Sequence, residues 1–227
     1  MGLIPARGGS KGIPKKNLRL LDGVPLISYS INAGISSNII DDLFVSSDDI
    51  EILNISKTIG AKIIKRPTHL ATDDASTHDV ILHAINTLNK NNKYDLVVLL
   101  QPTSPLRNEK HIDEAYNLML KKNSSSLISV SLPDKSPYKY LLIDKEGYLN
   151  GLINNKMTFM NRQDLPKTYL PNGAIYIFSI NDFLKKNRIP INKTVPYLMT
   201  KEESIDIDQY DDILIAEEYL KRINPND

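Results

Sequence analysis

The chain has 227 residues, 41% hydrophobic and 24% charged, the profile of a globular protein rather than a disordered one. Its 28 basic and 27 acidic side chains leave a net charge of +1, so no global field holds nucleic acid or an anionic membrane. Cysteine is absent, which excludes disulfides, thiolate zinc sites and a cysteine nucleophile. No run approaches the ~20 apolar residues of a membrane span. The first residues lack the basic start and long apolar core of a signal peptide, so a cytoplasmic location is expected.

Short β-type runs alternate with amphipathic helices along the chain. Leu3 to Ala6 reads as a strand that ends in a loop, Arg7 to Asn17. A helix is predicted from Pro25 to about Gly34, with Ile27 and Ile31 one turn apart. Leu43 to Val45 is a strand, followed by a helix with Asp48 as N-cap, Glu51 three residues on, and Ile52, Ile55 and Ile59 as its stripe. Ala61 to Ile64 is strand-like, and Thr77 to Asn89 helical. Leu96 to Leu100 is a continuous apolar strand, as expected where helices cover both faces of a sheet. A helix over about Asn108 to Lys121 and a strand around Leu127 to Val130 follow.

Between Pro133 and Leu170 polar residues, Pro and Tyr dominate, and the β-runs are short (Tyr140 to Ile143, Tyr148 to Ile153). This reads as an antiparallel excursion, a lid or an oligomer arm over about 133–170. Strands are predicted again at Ala174 to Phe178, Val195 to Met199 and Ile205 to Asp208. A last helix, about Gln209 to Arg222, carries Ile213, Ala216, Leu220 and Ile223 on one face. The order predicts an α/β fold with a mainly parallel sheet, helices on both faces and one domain over 1–227. Ligands of such sheets bind beyond the carboxyl ends of the strands, which points to Arg7 to Asn17, Ser46 to Asp48 and Gln101 to Arg107.

The first of these loops is the most informative. Gly8 and Gly9 let the backbone turn sharply and bring N–H groups toward a ligand, while Arg7, Lys11 and Lys16 supply three cations that can converge on a triphosphate. A solvated Gly/Lys turn is the rival reading. The P-loop pattern fails, because Ile13 stands where its second Gly is needed. Near the other end, Asp206 and Asp208 are two apart, so in a strand both carboxylates face one way and Ile205 and Ile207 the other. Such a pair suits Mg²⁺, which takes few protein ligands. Asp208 as N-cap of the last helix is the alternative. The four histidines make no metal pattern: His78 and His83 do not share a helix face, and His69 and His111 stand alone.

Ala6 to Ile27 resembles the signature of the CMP-sugar synthetases, the acylneuraminate cytidylyltransferases. Val45 to Asp48, Arg66-Pro67, Leu70 to Thr77, Gln101 to Arg107, Asn172 to Tyr176 and Ser204 to Asp208 recur in the family's order, so the resemblance spans nearly the whole chain. It implies a three-layer, Rossmann-like nucleotidyltransferase fold. It also implies transfer of CMP from CTP to the anomeric hydroxyl of an acidic nine-carbon sugar, with release of pyrophosphate.

On this resemblance Arg7, Gly8, Gly9, Ser10, Lys11 and Lys16 hold the triphosphate, and Asn17 lies near the ribose. Arg66, Ala75 and Thr77 surround cytosine, against bland readings of Arg66 as a surface charge and Thr77 as a helix N-cap. Gln101, Arg162, Asn172, Gly173 and Tyr176 line the sugar pocket, with Tyr176 as a core aromatic and Arg162 as part of a dimer arm as the alternatives. Arg107 either pairs with a carboxylate or stabilises its loop. Mg²⁺, with Mn²⁺ as the alternative, sits on Asp206 and Asp208, and the enzyme is a homodimer. Leu170 stands where some sialic-acid enzymes have Arg, which leaves legionaminic and pseudaminic acids open as acceptors. The rivals are a sugar-1-phosphate nucleotidyltransferase using another nucleotide and a non-catalytic nucleotide or sugar sensor.

Overall fold

Seven strands form one mixed sheet, and the loops at one end of it carry the groups singled out above. The structure is a computed structural model that describes residues 1–223. β1 (Gly2–Pro5) leads through the loop 6–19 into a small hairpin, β2 (Leu20–Leu21) and β3 (Val24–Pro25), and then α1 (Leu26–Ser36). β4 (Leu43–Ser47), α2 (Ile50–Ile59) and β5 (Lys62–Lys65) follow, then α3 (Thr77–Leu88), β6 (Leu96–Leu99), α4 (Glu109–Lys121) and β7 (Ser126–Ser131). A second hairpin, β8 (Leu141–Ile143) and β9 (Leu149–Gly151), and the short α5 (Asn155–Thr158) precede β10 (Leu170–Ser179). α6 (Ile180–Lys186), β11 (Val195–Leu198) and α7 (Tyr210–Ile223) come last.

The sheet order is β11-β7-β10-β6-β1-β4-β5. All its pairings are parallel except those of β10, which runs antiparallel to both β6 and β7. Strand alternation sorts the core. Ile4, Val45, Val98 and Ile177 pack with Ile31, Ile52 and Ile112 on one face. Leu3, Phe44, Val97 and Leu99 pack with Ile81, Ile85 and Phe183 on the other.

A third, smaller cluster joins the two ends of the chain. Ile13 of the first loop packs with Leu21, Leu26, Ile207 and Ala216, with Ile213 and Leu220 against them. The apolar stripe of α7 thus seats the segment 205–208 beside the loop 6–19. Ile223, placed on that stripe by its spacing, has its side chain outside the described residues.

Local structure differs from expectation at four points. The N-cap of α2 is Asp49, whose carboxylate accepts from the Glu51 and Ile52 amides, not Asp48. β4 continues through Ser47, so the chain leaves the sheet later and Asp48 is freed. The N-cap of α3 is Ser76, not Thr77. Residues 205–208 make no strand; the Ile207 amide donates to the Thr103 carbonyl of a loop. Their inward–outward alternation survives: Ile207 is buried, while Asp206 and Asp208 are exposed. Finally, Asp208 does not cap α7: the Asp212 carboxylate accepts from the Asp208 and Gln209 amides.

Asp42, just before β4, is the main polar anchor away from the loops. Its carboxylate accepts from the Lys62 and Lys93 ammonium groups and the Tyr94 hydroxyl. These bonds hold its carboxyl well below the usual carboxylate range. Asp42→Asn is expected to lower stability by about 2 kcal/mol at neutral pH, as for an acceptor lost from charged donors. A folded pKa below the unfolded value of about 4 means the contribution is complete above that pH and is lost as pH falls further. Urea unfolding of both proteins checks this: the gap at pH 7 should close toward pH 2.

Candidate active site

Two cavities open at the carboxyl ends of the strands. The first, of about 310 Å³, is lined by Arg7, Gly9, Ser10, Lys16, Asn17, Arg66, Asp73, Ala75, Thr77, Gln101 and Thr103, among others. The second, of about 280 Å³, is lined by Gln101, Leu170, Asn172, Gly173, Tyr176, Ser204 and Asp206, among others. Gln101, at the end of β6, is common to both. The close approach needs the residue opposite it to be glycine. Gly173 has φ of 78°, and a Cβ there would lie 3.0 Å from the Gln101 Oε1.

The cations of the first loop are held by acids from elsewhere in the chain. Arg7 pairs with Asp73 at 2.8 Å and donates to the Thr72 carbonyl at 3.0 Å. Lys11 reaches the other oxygen of Asp73 at 3.2 Å. These contacts hold the Asp73 carboxyl below its ordinary range, the Lys11 hydrogen bond being the largest cause. Lys15 adopts φ of 51°, in the left-handed region, at the turn into Lys16. The Lys16 ammonium donates to the Ile207 carbonyl at 2.7 Å and to the Asp208 carboxylate at 2.9 Å. Asp48 accepts from the Gly8 amide at 3.0 Å, fixing the loop from beneath. A Cβ on Gly12 would collide with the Asp208 carbonyl oxygen, so glycine is what lets the two chain ends meet.

Asn17 is buried, and its Nδ2 donates to the Arg7 carbonyl at 3.0 Å. Its Oδ1 is buried without a partner among the described residues, an acceptor left open at the cleft wall. Arg66 is no surface charge: it is 5% exposed and donates to the Ser46 hydroxyl and carbonyl. Burial is the main cause that pushes its guanidinium down, to about 10, with Asp48 opposing and Arg7 adding to the shift. Asp206 is raised from its ordinary value, chiefly by desolvation, with Asp208 adding to the rise and the Thr103 hydroxyl opposing it. Burial, and then Asp206, also raises Tyr176.

The sugar-side residues divide. Gln101, Gly173 and Tyr176 line the second cavity. Asn172 lines it too, but its polar atoms are engaged: Oδ1 accepts from the Ser129 hydroxyl and the Ala174 amide, and Nδ2 donates to the Ser204 hydroxyl. These bonds brace the register shift of β10 between Pro171 and Tyr176. Arg162 is not brought to this cavity. It lines separate hollows with Leu132, Pro133 and Leu198 beside the second hairpin. Arg107 pairs with no carboxylate; its donors go to Ser30 Oγ and to the Gln101 and Ala174 carbonyls. Asp73, Asp48, Thr103 and Ser204 carry no pattern of their own in the sequence. Each nevertheless lies within a segment that the order of motifs marked: Leu70 to Thr77, Val45 to Asp48, Gln101 to Arg107 and Ser204 to Asp208 in turn. Among the described residues no group of three or more His, Cys, Asp or Glu side chains converges as a metal cage.

Comparison with known proteins now bears on this geometry. A family model described as "Cytidylyltransferase" matches residues 1–215. The chain belongs to the cytidylyltransferase family. It is 36% identical to an N-acylneuraminate cytidylyltransferase of Streptococcus agalactiae serotype V, over 93% of this chain and 51% of that protein. It is 34% identical to a pseudaminic acid cytidylyltransferase of Campylobacter jejuni serotype O:2, over 98% of this chain and 96% of the relative. Among solved structures, CMP:2-keto-3-deoxy-manno-octonic acid synthetase complexed with CTP superposes with a TM-score of 0.72, each chain covered to 98%, at 13% identity. That last likeness concerns the cytidylyltransferase fold alone. The chain spans about half the length of the N-acylneuraminate relatives it matches, and nearly all of the pseudaminic acid one. Among the described residues no helix is long and apolar enough to cross a membrane.

The loop junction can be tested without substrate. Gly12→Ala is expected to destabilise the protein by about 1–3 kcal/mol through overpacking against Asp208. Gly9→Ala, whose Cβ would meet nothing within 4 Å, is the control, expected to change stability by about 0.5 kcal/mol or less. Urea midpoints of the two variants measure the difference.

Proposed function

We propose that the protein transfers CMP from CTP to the anomeric hydroxyl of an acidic nine-carbon sugar and releases pyrophosphate. The observation that carries this reading is the meeting of two cavities at Gln101, with Arg7, Lys16 and Arg66 on one side and Asp206 on the other. The family supports cytidine as the base. Arg7, Lys11 and Lys16 bind the triphosphate, displacing the Asp73 contacts as they do so. Asn17 Oδ1 accepts from a ribose hydroxyl, and Arg66, Ala75 and Thr77 surround the base. The acceptor lies in the second cavity against Gln101, Gly173 and Tyr176.

In the reaction the anomeric oxygen forms a bond to the α-phosphorus, and the bond to the departing pyrophosphate breaks. The hydroxyl proton leaves with the pyrophosphate. The loop cations neutralise charge that grows on the leaving group, and they are already in place, so little reorganisation is needed. No covalent intermediate on the chain is required.

Asp206 and Asp208 fit a divalent cation. They are hard oxygen donors, and the Asp206 carboxyl is raised chiefly by desolvation, with Asp208 adding to the rise. Mg²⁺ there, or Mn²⁺ in its stead, would supply charge neutralisation at the phosphates. Lys16 shares Asp208 and ties the pair to the phosphate loop.

Leu170, at the mouth of the second cavity, is apolar and 56% exposed. It favours an acceptor that ends in a methyl group, as legionaminic and pseudaminic acids do, over the glycerol tail of sialic acid. A homodimer belongs to the same reading. The second hairpin and its surroundings leave Ile143 73% and Phe159 85% exposed, an apolar surface that a second subunit would cover. Arg162 stands on that arm. A cytoplasmic location follows from dependence on CTP.

Pyrophosphate release with each nucleoside triphosphate against sialic, legionaminic, pseudaminic and shorter keto-deoxy acids tests the proposal. CTP with a nine-carbon acid should give release only with Mg²⁺ or Mn²⁺; release with another nucleotide and a sugar 1-phosphate would replace this reading, and no release at all would point to a sensor. Lys16→Ala should lower turnover by about 10²-fold or more while the protein stays folded. Asp206→Asn should lower activity and weaken the Mg²⁺ dependence, and an unchanged Mg²⁺ titration would remove Asp206 from the metal site. Equilibrium sedimentation should give a dimer.

A further inference from the structure

Arg107 is the largest fully buried side chain among the described residues, 1% exposed. Burial pushes its guanidinium down to about 9, which still leaves it charged at neutral pH. A buried charge is ordinarily compensated by an opposite one, because leaving it unpaired is strongly destabilising. Among the described residues no carboxylate accepts from it. Nη2 donates to Ser30 Oγ at 2.6 Å and to the Gln101 carbonyl at 3.3 Å, and Nε donates to the Ala174 carbonyl at 3.4 Å. Ser30 Oγ donates in turn to the same Gln101 carbonyl at 3.1 Å. Nη1 is buried without a partner among the described residues. An apolar side chain of similar volume would fill this space without desolvating a charge, so packing alone does not explain an arginine.

The groups it holds all border the cleft. Gln101 is the wall shared by the two cavities. Ala174 follows Gly173, whose backbone comes up against the Gln101 side chain. Thr103, between Gln101 and Arg107, accepts from the Ile207 amide at 2.9 Å through its carbonyl, and Ile207 stands between Asp206 and Asp208 in the chain. The loop 101–107 therefore links both cavities to the acid pair.

We propose that Arg107 is a positioning residue for the reaction, pinning the loop 101–107 to α1 and β10 and so setting the spacing between the two cavities and Asp206. It lines neither cavity and touches no substrate. The kinetic side of the inference rests on the transferase reading above; the structural side does not.

The test uses Arg107→Met, Arg107→Lys and Ser30→Ala in the full chain. By hydrogen exchange, the Ile207 amide should exchange about tenfold faster or more in Arg107→Met, and about threefold faster in Ser30→Ala, while β1 and β4 amides keep their rates. Acceptor KM and the Mg²⁺ half-saturation should rise about tenfold or more in Arg107→Met, as for misplaced reacting groups, with CTP affinity by calorimetry moving by less than about threefold. Arg107→Lys should not rescue, because a point charge cannot hold oxygens set around a planar fork. Unchanged Ile207 exchange with unchanged acceptor KM in folded Arg107→Met overturns the proposal. Equal losses of CTP and acceptor binding also overturn it, reducing Arg107 to general stability. If Arg107→Met does not fold, Ser30→Ala decides in the same way, and no change in it counts against the proposal. A wild type that turns over no acceptor refutes the transferase reading, and the exchange data then judge Arg107 alone.

Discussion

The site depends on one long-range junction, the seating of residues 205–208 on the loop that follows β1. Two kinds of force make it. Ile13, Ile207 and the stripe of α7 bury apolar surface together, and this term is strong but has little directional preference. Lys16 then sets direction, bonding the Ile207 carbonyl and the Asp208 carboxylate across 191 and 192 residues of chain. The absence of a side chain on Gly12 lets the backbones come within reach. Without this junction the cations at the start of the chain and the acids near its end would be unrelated charges on a neutral surface.

The same arrangement accounts for how a protein of net charge +1 can present both signs to a ligand. Four cations of the loop 6–19 are paired: Arg7 and Lys11 with Asp73, Lys15 with Glu51, and Lys16 with Asp208. The pairs are partly exposed, so each contributes little to stability. Their consequence is placement. The side chains are held near the mouth of the cleft, so an anionic ligand there would exchange one set of anionic oxygens for another rather than order free lysines. Arg66 and Asn17 differ, being buried and fixed by backbone bonds, and they form the rigid wall against which the mobile charges work.

β10 has a comparable role at the second cavity. As the strand of the seven-stranded sheet that runs antiparallel to both its neighbours, it can shift register locally without disturbing the parallel part of the sheet. The shift between Pro171 and Tyr176 turns Gly173 toward Gln101, and Asn172 and Ser129 absorb the displaced backbone groups. A polar residue that lines a cavity can thus be structural, and Asn172 shows how the two duties are told apart: by whether its donors and acceptors are already used.

The alternation of strand and helix, the Gly/Lys loop after the first strand and the Asp–Ile–Asp spacing were all legible in the chain, because periodicity and turn chemistry are local properties. The order of motifs pointed to the family for the same reason. What lay beyond reading was set by neighbours distant in sequence. Asp49 rather than Asp48 caps α2 because β4 gains extra residues from its pairing with β5. Residues 205–208 keep strand-like alternation without a strand because they meet a loop and not a sheet edge. Arg162 has the right residue type but stands on the arm, away from the second cavity of its own chain. Arg107, which by sequence could either pair with a carboxylate or stabilise its loop, holds the Ser30 hydroxyl and the Gln101 and Ala174 carbonyls. The sequence by itself determined which chemistry was available; tertiary structure decided which groups meet, because hydrogen-bond partners and burial depend on packing between segments that local pattern does not encode.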